Sequence, residues 1–573
     1  LGAAAALALA ACGGSSGGGS GGGSGTSSSA AYNAGITGVV NPSTHKGGTL
    51  TFAWRSAPDS FDPGNTYYAA VWDFARFYSQ ALMTYKACPG ACGKTLVPGL
   101  ATAPGVVSDN GLTWTYHLRS GVKFEDGTTV TSQDVKYAVE RTFDRSVLPN
   151  GPSYFSVLLG GNAAKYPGPY KDRSKNLMGL TAVTTPNATT VVFHLAHPFS
   201  DFNYVVTIPQ SAPVPPGKDT GAKYQLHPIS TGPYKFQSYQ LNKQAVLVPN
   251  PQWNAAEDPT VKQLASKIVV NMNMNPNDVD NRLIAGDAQV DFAGTGVQAA
   301  ARAKILSTPT LKANSDDPIT GFGWFIYVDS KVAPFTNVAC RRAIEYAANH
   351  TTLQNAYGGP VAGGAIGSTA LPPTVTGYKS FDLYEATSKP AGDPAKAKQE
   401  LKTCGQPNGF STGIAYRSDR PTETQGAQAL QQALSQVGIK TTLHGYPSST
   451  YFTNFAGVPK YMSSHNIGIA FGGWGADWPD GYGFLDELVN GNTIVPAGNT
   501  NIGQLNDPVV NNLFAKAAGI NDAAQRNAIW GQIDRQVMKD AVIVPIVYAK
   551  ALIYRPPSLT NVYFDQAYQL NNY

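Results

Sequence analysis

Phe471-Gly472-Gly473-Trp474-Gly475-Ala476-Asp477-Trp478-Pro479-Asp480-Gly481-Tyr482-Gly483-Phe484-Leu485 gathers two Trp, one Tyr, two Phe and two Asp among small residues. Aromatic walls around a carboxylate suit an organic ligand carrying a cation or an amine. The walls are apolar and the carboxylate fixes orientation. Pro479 and the glycines keep the stretch from reading as a helix interior, and glycine lets a backbone approach another surface closely. The same residues also fit a strand end and turn packed in a core, with Asp477 or Asp480 capping the next helix. Catalysis by these two carboxylates finds no support, because the chain has no GxSxG, no HExxH and no SxxK with its companions. His194-x-x-His197 fails as a metal pair, since a strand sends the two side chains to opposite faces and no third ligand lies nearby in sequence. Gly358-Gly359 and Gly363-Gly364 lack a Walker lysine. No catalytic residue, metal ligand or cofactor is therefore assigned.

The cysteines carry the other chemistry. Leu1 to Cys12 is an apolar run too short to span a bilayer, and it reads as the tail of a signal-peptide core. Leu9-Ala10-Ala11-Cys12 looks like a bacterial lipobox, in which small residues precede a cysteine that receives diacylglycerol. Gly13-Gly14-Ser15 onward is a flexible tether by composition, and residues 13–46 are set apart from the folded body. Outside the membrane the remaining thiols can pair. Cys88-Pro89-Gly90-Ala91-Cys92 contains a turn that can bring its two sulfurs together, which leaves Cys340 with Cys404 by elimination. A zinc site would need four such ligands close together, and Cys88 and Cys92 have no second pair at finger spacing.

A chain of 573 residues allows roughly three to four domains. Low charge (14%) with 29 Tyr, 60 Gly and 40 Pro fits a β-rich, loop-rich extracellular protein. The net charge of +5 is small for this length and no dense Lys/Arg block is present, so no nucleic-acid partner is expected. Thr49 to Trp54 alternates as a strand should, and Val71, Phe74, Ala75, Tyr78 and Leu82 fall at helical spacing between Tyr67 and Tyr85. Asp109-Asn110-Gly111 marks a hairpin turn before an alternating strand, and Asp126-Gly127 marks a second turn. Thr131 with Asp134 makes a capping-box-like start to an amphipathic helix running to about Phe143.

The order Pro98-Gly99-Leu100-Ala101-Thr102, then Ser108 to Arg119, then Ser120 to Glu140 closely resembles the family 5 solute-binding proteins of ABC importers, the oligopeptide, dipeptide and nickel binding proteins. The resemblance continues through Val191 to Phe199, Ser230-Thr231-Gly232-Pro233-Tyr234, Pro334 to Ile344, Ala397 to Phe410, Gln428 to Leu443, and Asp507-Pro508, Arg526 and Val544-Pro545-Ile546. It covers roughly residues 47–573. It implies an α/β fold of the type II periplasmic-binding-protein kind, with two lobes, hinge strands and an additional domain. By position, lobe I would hold 47–80, 206–320 and 546–573. The additional domain would be 81–205, and lobe II 321–545.

The resemblance also implies roles. In peptide-binding members a Trp-x-Ala-Asp segment of lobe II lines the cleft, and its Asp takes the ligand's α-amino group. Trp474-Gly475-Ala476-Asp477 matches that segment. Asp477 is thus expected as the amine anchor, with Trp474 and Trp478 as walls beside Ala476. Some oligopeptide binders place a carboxylate-holding Arg three residues before the Trp, where this chain has Phe471. Tyr67 or Tyr68 falls where a ligand meets lobe I, and Tyr154 where the additional domain lends an aromatic. The expected protein is a lipid-anchored, extracytoplasmic, monomeric binder that delivers a peptide or peptide-like ligand to an ABC permease and its ATPases. The same fold with a sugar, a metal chelate or a signalling peptide is the alternative, and an extracytoplasmic hydrolase is a more distant one.

Overall fold

The computed structural model describes residues 31–572 apart from 175, 177 and 569. Cys12, the signal-peptide remnant and residues 13–30 of the expected tether lie outside the described residues.

Alternation in Thr49–Ala53 produces the first strand of lobe I. It runs parallel to both neighbours, Lys267–Asn271 and Val290–Asp291, and Gln244–Pro249 and Tyr234–Gln240 extend the five-stranded sheet antiparallel. Phe52 faces a core with Phe74 of the helix Ala69–Ala75, Phe236 and Leu247. Ala53 points to the opposite face, against Val279 and Leu283 of the helix Pro276–Ala285. The helical pattern from Tyr67 to Tyr85 overshoots, since the helix stops at Ala75. Beyond it the backbone is bonded elsewhere. The Thr231 and Gly232 amides donate to the Tyr78 carbonyl at 3.0 and 3.1 Å, and the Tyr234 amide to that of Phe77 at 2.7 Å. Tyr78 and Leu82 are buried all the same, and Met83–Tyr85 is a strand.

The additional domain is built on a four-stranded antiparallel sheet, ordered Val106–Ser108, Thr113–His117, Thr190–His194, Val183–Asn187. The turn at Asp109-Asn110-Gly111 joins the first two strands with all three residues at positive φ. The helix Ser132–Arg141 starts with the capping box of Thr131 and Asp134 and seats Val135 and Val139 in the domain's core.

Lobe II carries a six-stranded sheet, ordered Gly364–Ile366, Ile543–Lys550, Ile319–Val328, Ile467–Gly475, Ser411–Arg417, Lys440–Tyr446. Helices Val338–Ala347, Pro394–Thr403 and Pro421–Ser435 share a core on one face. Gly481–Val489, Pro508–Ala518 and Ala523–Asp540 share one on the other. The boundary expected at 545/546 falls inside Ile543–Lys550, which pairs along its length with Ile319–Val328 and Gly364–Ile366. A strand buried on both faces is a central strand, and lobe II keeps all of it. The chain re-enters lobe I at Ile553–Tyr554, paired with Ser315–Asp316, so the two crossings between the lobes lie side by side. The Arg555 Nε–Asp316 ion pair, 2.5 Å and buried, ties them together.

The tether also ends earlier than its composition indicates. Residues 34–37 form a short helix, the Asn33 amide donates to the Ser315 carbonyl at 3.0 Å, and Val40 pairs with Val562. The Gly35 amide donates to Asp316 Oδ1 at 2.9 Å, an approach so close that a Cβ at residue 35 would sit 2.7 Å from that carboxylate. Both disulfides form, Cys88–Cys92 and Cys340–Cys404, the second joining the packed helices Val338–Ala347 and Pro394–Thr403.

Candidate ligand-binding cleft

Ile467–Gly475 delivers the aromatic stretch to the edge of lobe II that faces the other two bodies. Its glycines are there for the neighbouring strand. A Cβ on Gly473 would lie 2.5 Å from the Trp324 ring and 2.6 Å from the Phe322 ring, so those two rings cover it. After the strand, the Asp477 amide donates to the Gly483 carbonyl at 3.1 Å and folds the loop back on the next helix. Asp480 caps that helix by accepting the Tyr482 amide at 2.9 Å, which leaves Asp477 uncommitted to capping.

Asp477 is where three parts of the chain meet. Tyr67 of lobe I donates its hydroxyl to Asp477 Oδ2 at 2.8 Å, and Tyr154 of the additional domain donates to the same oxygen. Asp477 keeps some exposed surface, yet protein surrounds it closely, and burial pushes its carboxyl up to about 7 against the pull of the two hydroxyls. Glu487 and Asp486 push the same way. Burial likewise holds Asp486 at about 7 and raises Glu487, although Asn490 donates to the first at 2.7 Å and Thr500 to the second at 3.2 Å. Three carboxyl groups raised by burial in one corner make a place that favours a cation.

The expected walls separate into two groups. Trp474 is partly buried, and its indole N–H is itself buried without a hydrogen-bond partner among the described residues. Ala476 packs beside it, and Tyr68, half exposed, stands next to Tyr67 at the start of the lobe I helix. Trp478 is not a cleft wall. It is 1% exposed and sits in the core of the additional domain, stacked on Tyr204 and edge-on to Tyr154. Its ring fastens lobe II to that domain, aided by the ion pair of Arg526 with Asp201 at 3.1 Å. Phe471 does not reach the cleft either. It is fully buried, with Gly426 of the helix Pro421–Ser435 lying close over its ring and its carbonyl accepting from Tyr451 Oη at 2.7 Å.

A basic group that sequence reasoning passed over lies nearby. Arg417 ends its strand and binds Glu423 from its main-chain amide (2.9 Å) and its Nε (3.0 Å). Arg420, at the start of the next helix, lies 4.0 Å from a Glu423 already taken and 5.9 Å over the Trp324 ring, with 42% of its side chain exposed. Its charge reaches Tyr68 across the lobes, partly offsetting the rise that burial and Asp59 impose on that phenol. The signal was available: an Arg just before a Pro, at the carboxyl end of a sheet strand, is where α/β sheets place ligand contacts.

The model of the bacterial extracellular solute-binding proteins, family 5 (middle region), matches residues 95–495. Glutathione-binding protein GsiB of Escherichia coli O1:K1 / APEC is 26% identical over 461 residues, which cover 79% of this chain and 81% of that protein. The clavulanic acid biosynthesis oligopeptide binding protein 2 superposes with a TM-score of 0.91 at 39% identity, covering 95% of this chain and 97% of that one. DppA from Helicobacter pylori, in complex with peptide STSA, shares the fold with a TM-score of 0.68 at 21% identity over 91% of this chain and 96% of its own.

Proposed function

The chain belongs to family 5 of the bacterial extracellular solute-binding proteins, and we propose that it captures a peptide or peptide-like ligand by its free amine and delivers it to an ABC import permease. The observation that carries this reading is the meeting of Tyr67, Tyr154 and Asp477 on one carboxylate oxygen. A ligand ammonium at that carboxylate would touch all three bodies in the closed form and fewer in the open one. Ligand binding would therefore favour closure by its difference in affinity for the two forms. Arg420, over the Trp324 ring and partly exposed, offers a counterpart for a ligand carboxylate. Glutathione and oligopeptides, named for two relatives, are ligands of this chemical kind.

The test is calorimetry with a peptide identified by mass spectrometry of co-purifying material, compared with its N-acetylated form. Removing the ammonium is expected to weaken binding by about thirtyfold or more, the loss for unpairing a buried charge. Equal affinities would overturn the amine anchor. Membrane attachment through diacylglycerol on Cys12 belongs to the same reading. Cys12→Ala should release the protein from membranes, and continued tight association would remove the anchor.

A further inference from the structure

Lobe I holds a pocket, partly open to solvent, away from Asp477 and its partners. A chamber of about 510 Å³ lies between the sheet, the helix Ala69–Ala75, residues 43–49 of the N-terminal segment and residues 558–561 near the C-terminus. Leu50, Phe52, Phe74, Phe77, Tyr234 and Phe292 form much of its wall. Protein interiors leave few voids larger than a water molecule, whereas sites for small organic ligands span roughly 300–1,000 Å³. The chamber has the size and lining of the second class.

Its charged groups are arranged asymmetrically. Asp73 is paired with Arg76, and Asp291 with Arg55 at 2.8 Å, so the acidic groups in the wall are neutralised. Lys262 lines the space from an exposed position, makes no ion pair among the described residues, and has the exposed His45 lining the same chamber. We propose that this chamber is a binding site for an amphipathic anion with a long apolar body, the chemistry of a fatty acyl chain with an acidic head. The rings and aliphatic side chains take the chain, and Lys262 with His45 takes the head.

The experiment uses the purified chain, stripped of co-purifying lipid on a hydrophobic resin and titrated with cis-parinaric acid, whose fluorescence rises in an apolar site. Saturable binding of one molecule per chain is expected. Ala265→Trp, which adds an indole to the chamber wall, should weaken binding about tenfold, the usual scale of overpacking. Lys262→Glu should weaken the acid about fivefold and leave its methyl ester unaffected. Asp477→Asn, in the cleft, should change neither. Circular dichroism and melting temperature report on folding, and Lys262→Glu serves if Ala265→Trp folds poorly. Absence of binding in both the wild type and Cys12→Ala, or equal affinity for the acid with and without Lys262→Glu, overturns the proposal. So does loss of binding in Asp477→Asn, which would put the probe in the cleft. Two sources could supply the acyl chain, a free acid or the chain's own lipidated Cys12. Binding by the membrane-extracted wild type and by Cys12→Ala alike assigns it to a free acid. Binding that appears only in Cys12→Ala assigns it to the chain's own lipid.

Discussion

Asp477→Asn separates two consequences of one carboxylate, because it removes the charge and keeps the shape. In the closed, empty form burial holds this carboxyl at about 7, with Tyr154 and Tyr67 acting against the rise. Opening returns it toward water and its ordinary value of 3.8. The closed form therefore binds the proton more tightly, and closure without ligand is easiest at low pH. It becomes harder as pH rises from 3.8 and reaches its full disadvantage above about 7. That disadvantage is at most about 4 kcal/mol, and partial exposure reduces it. A ligand ammonium at about 4 Å offsets it by a similar amount, about 4 kcal/mol at an effective dielectric constant of ~20. The Asn variant loses that attraction but is also spared the closure penalty. What remains is the excess of a charge-assisted hydrogen bond over a neutral one. The variant should thus bind a free-amine peptide about 1–2 kcal/mol more weakly at pH 8, roughly 5- to 30-fold. Its empty form should close more readily than wild type at the same pH. Calorimetry measures the first effect, and the radius of gyration from small-angle X-ray scattering the second. Asp486, Glu487 and the Asp201–Asp480 pair also rise on burial, so the variant retains a weaker pH dependence of closure. Unchanged affinity, or an empty form as open as wild type at pH 8, would refute the reasoning.

Arg420→Gln should weaken a peptide with a free C-terminal carboxylate by about 1–2 kcal/mol and leave its C-terminal amide unaffected, the low end being set by the exposure of the side chain; equal losses for both peptides in a competition assay would remove the role. Cys340 and Cys404 close a loop of sequence separation 64, so replacing both by Ala should cost about 4 kcal/mol, while the separation of 4 between Cys88 and Cys92 makes their loss much milder. Scanning calorimetry ranks the two variants, and the reverse order would count against a loop-entropy origin. Arg526→Met leaves the Asp201 and Asp480 carboxyls facing each other without their cation. Burial and mutual repulsion already raise Asp480, so the interface of lobe II with the additional domain should loosen at pH 8 and less as pH falls and these raised carboxyls take up protons. Hydrogen exchange in residues 477–482 reads this, and equal protection in variant and wild type at pH 8 would contradict it.

What could be read from the chain beforehand depended on the range of the interaction involved. The capping box at Thr131 and the hairpin turn at Asp109-Asn110-Gly111 are decided by residues a few positions apart, and the structure forms both. The two lobes and their sheets follow from ordered motifs spread along the whole chain. The helix expected to run to Tyr85 ends early because the turn at 230–234 bonds its backbone, a partner more than 150 residues away that periodicity does not register. The aromatic stretch shows the same limit within a few residues. Trp474 and Trp478 look alike in sequence, yet one lies at the cleft and the other is sealed between lobe II and the additional domain, because the ring that fills the latter core comes from another body. Asp477 joins Tyr67 and Tyr154 across separations of 410 and 323 residues. A Trp-x-Ala-Asp spacing can nominate the carboxylate, but only the closed fold brings both hydroxyls to one oxygen. That convergence gives the residue two opposed roles. It makes closure without ligand unfavourable at neutral pH, and under the proposed function it is where an arriving ammonium would hold the three bodies together.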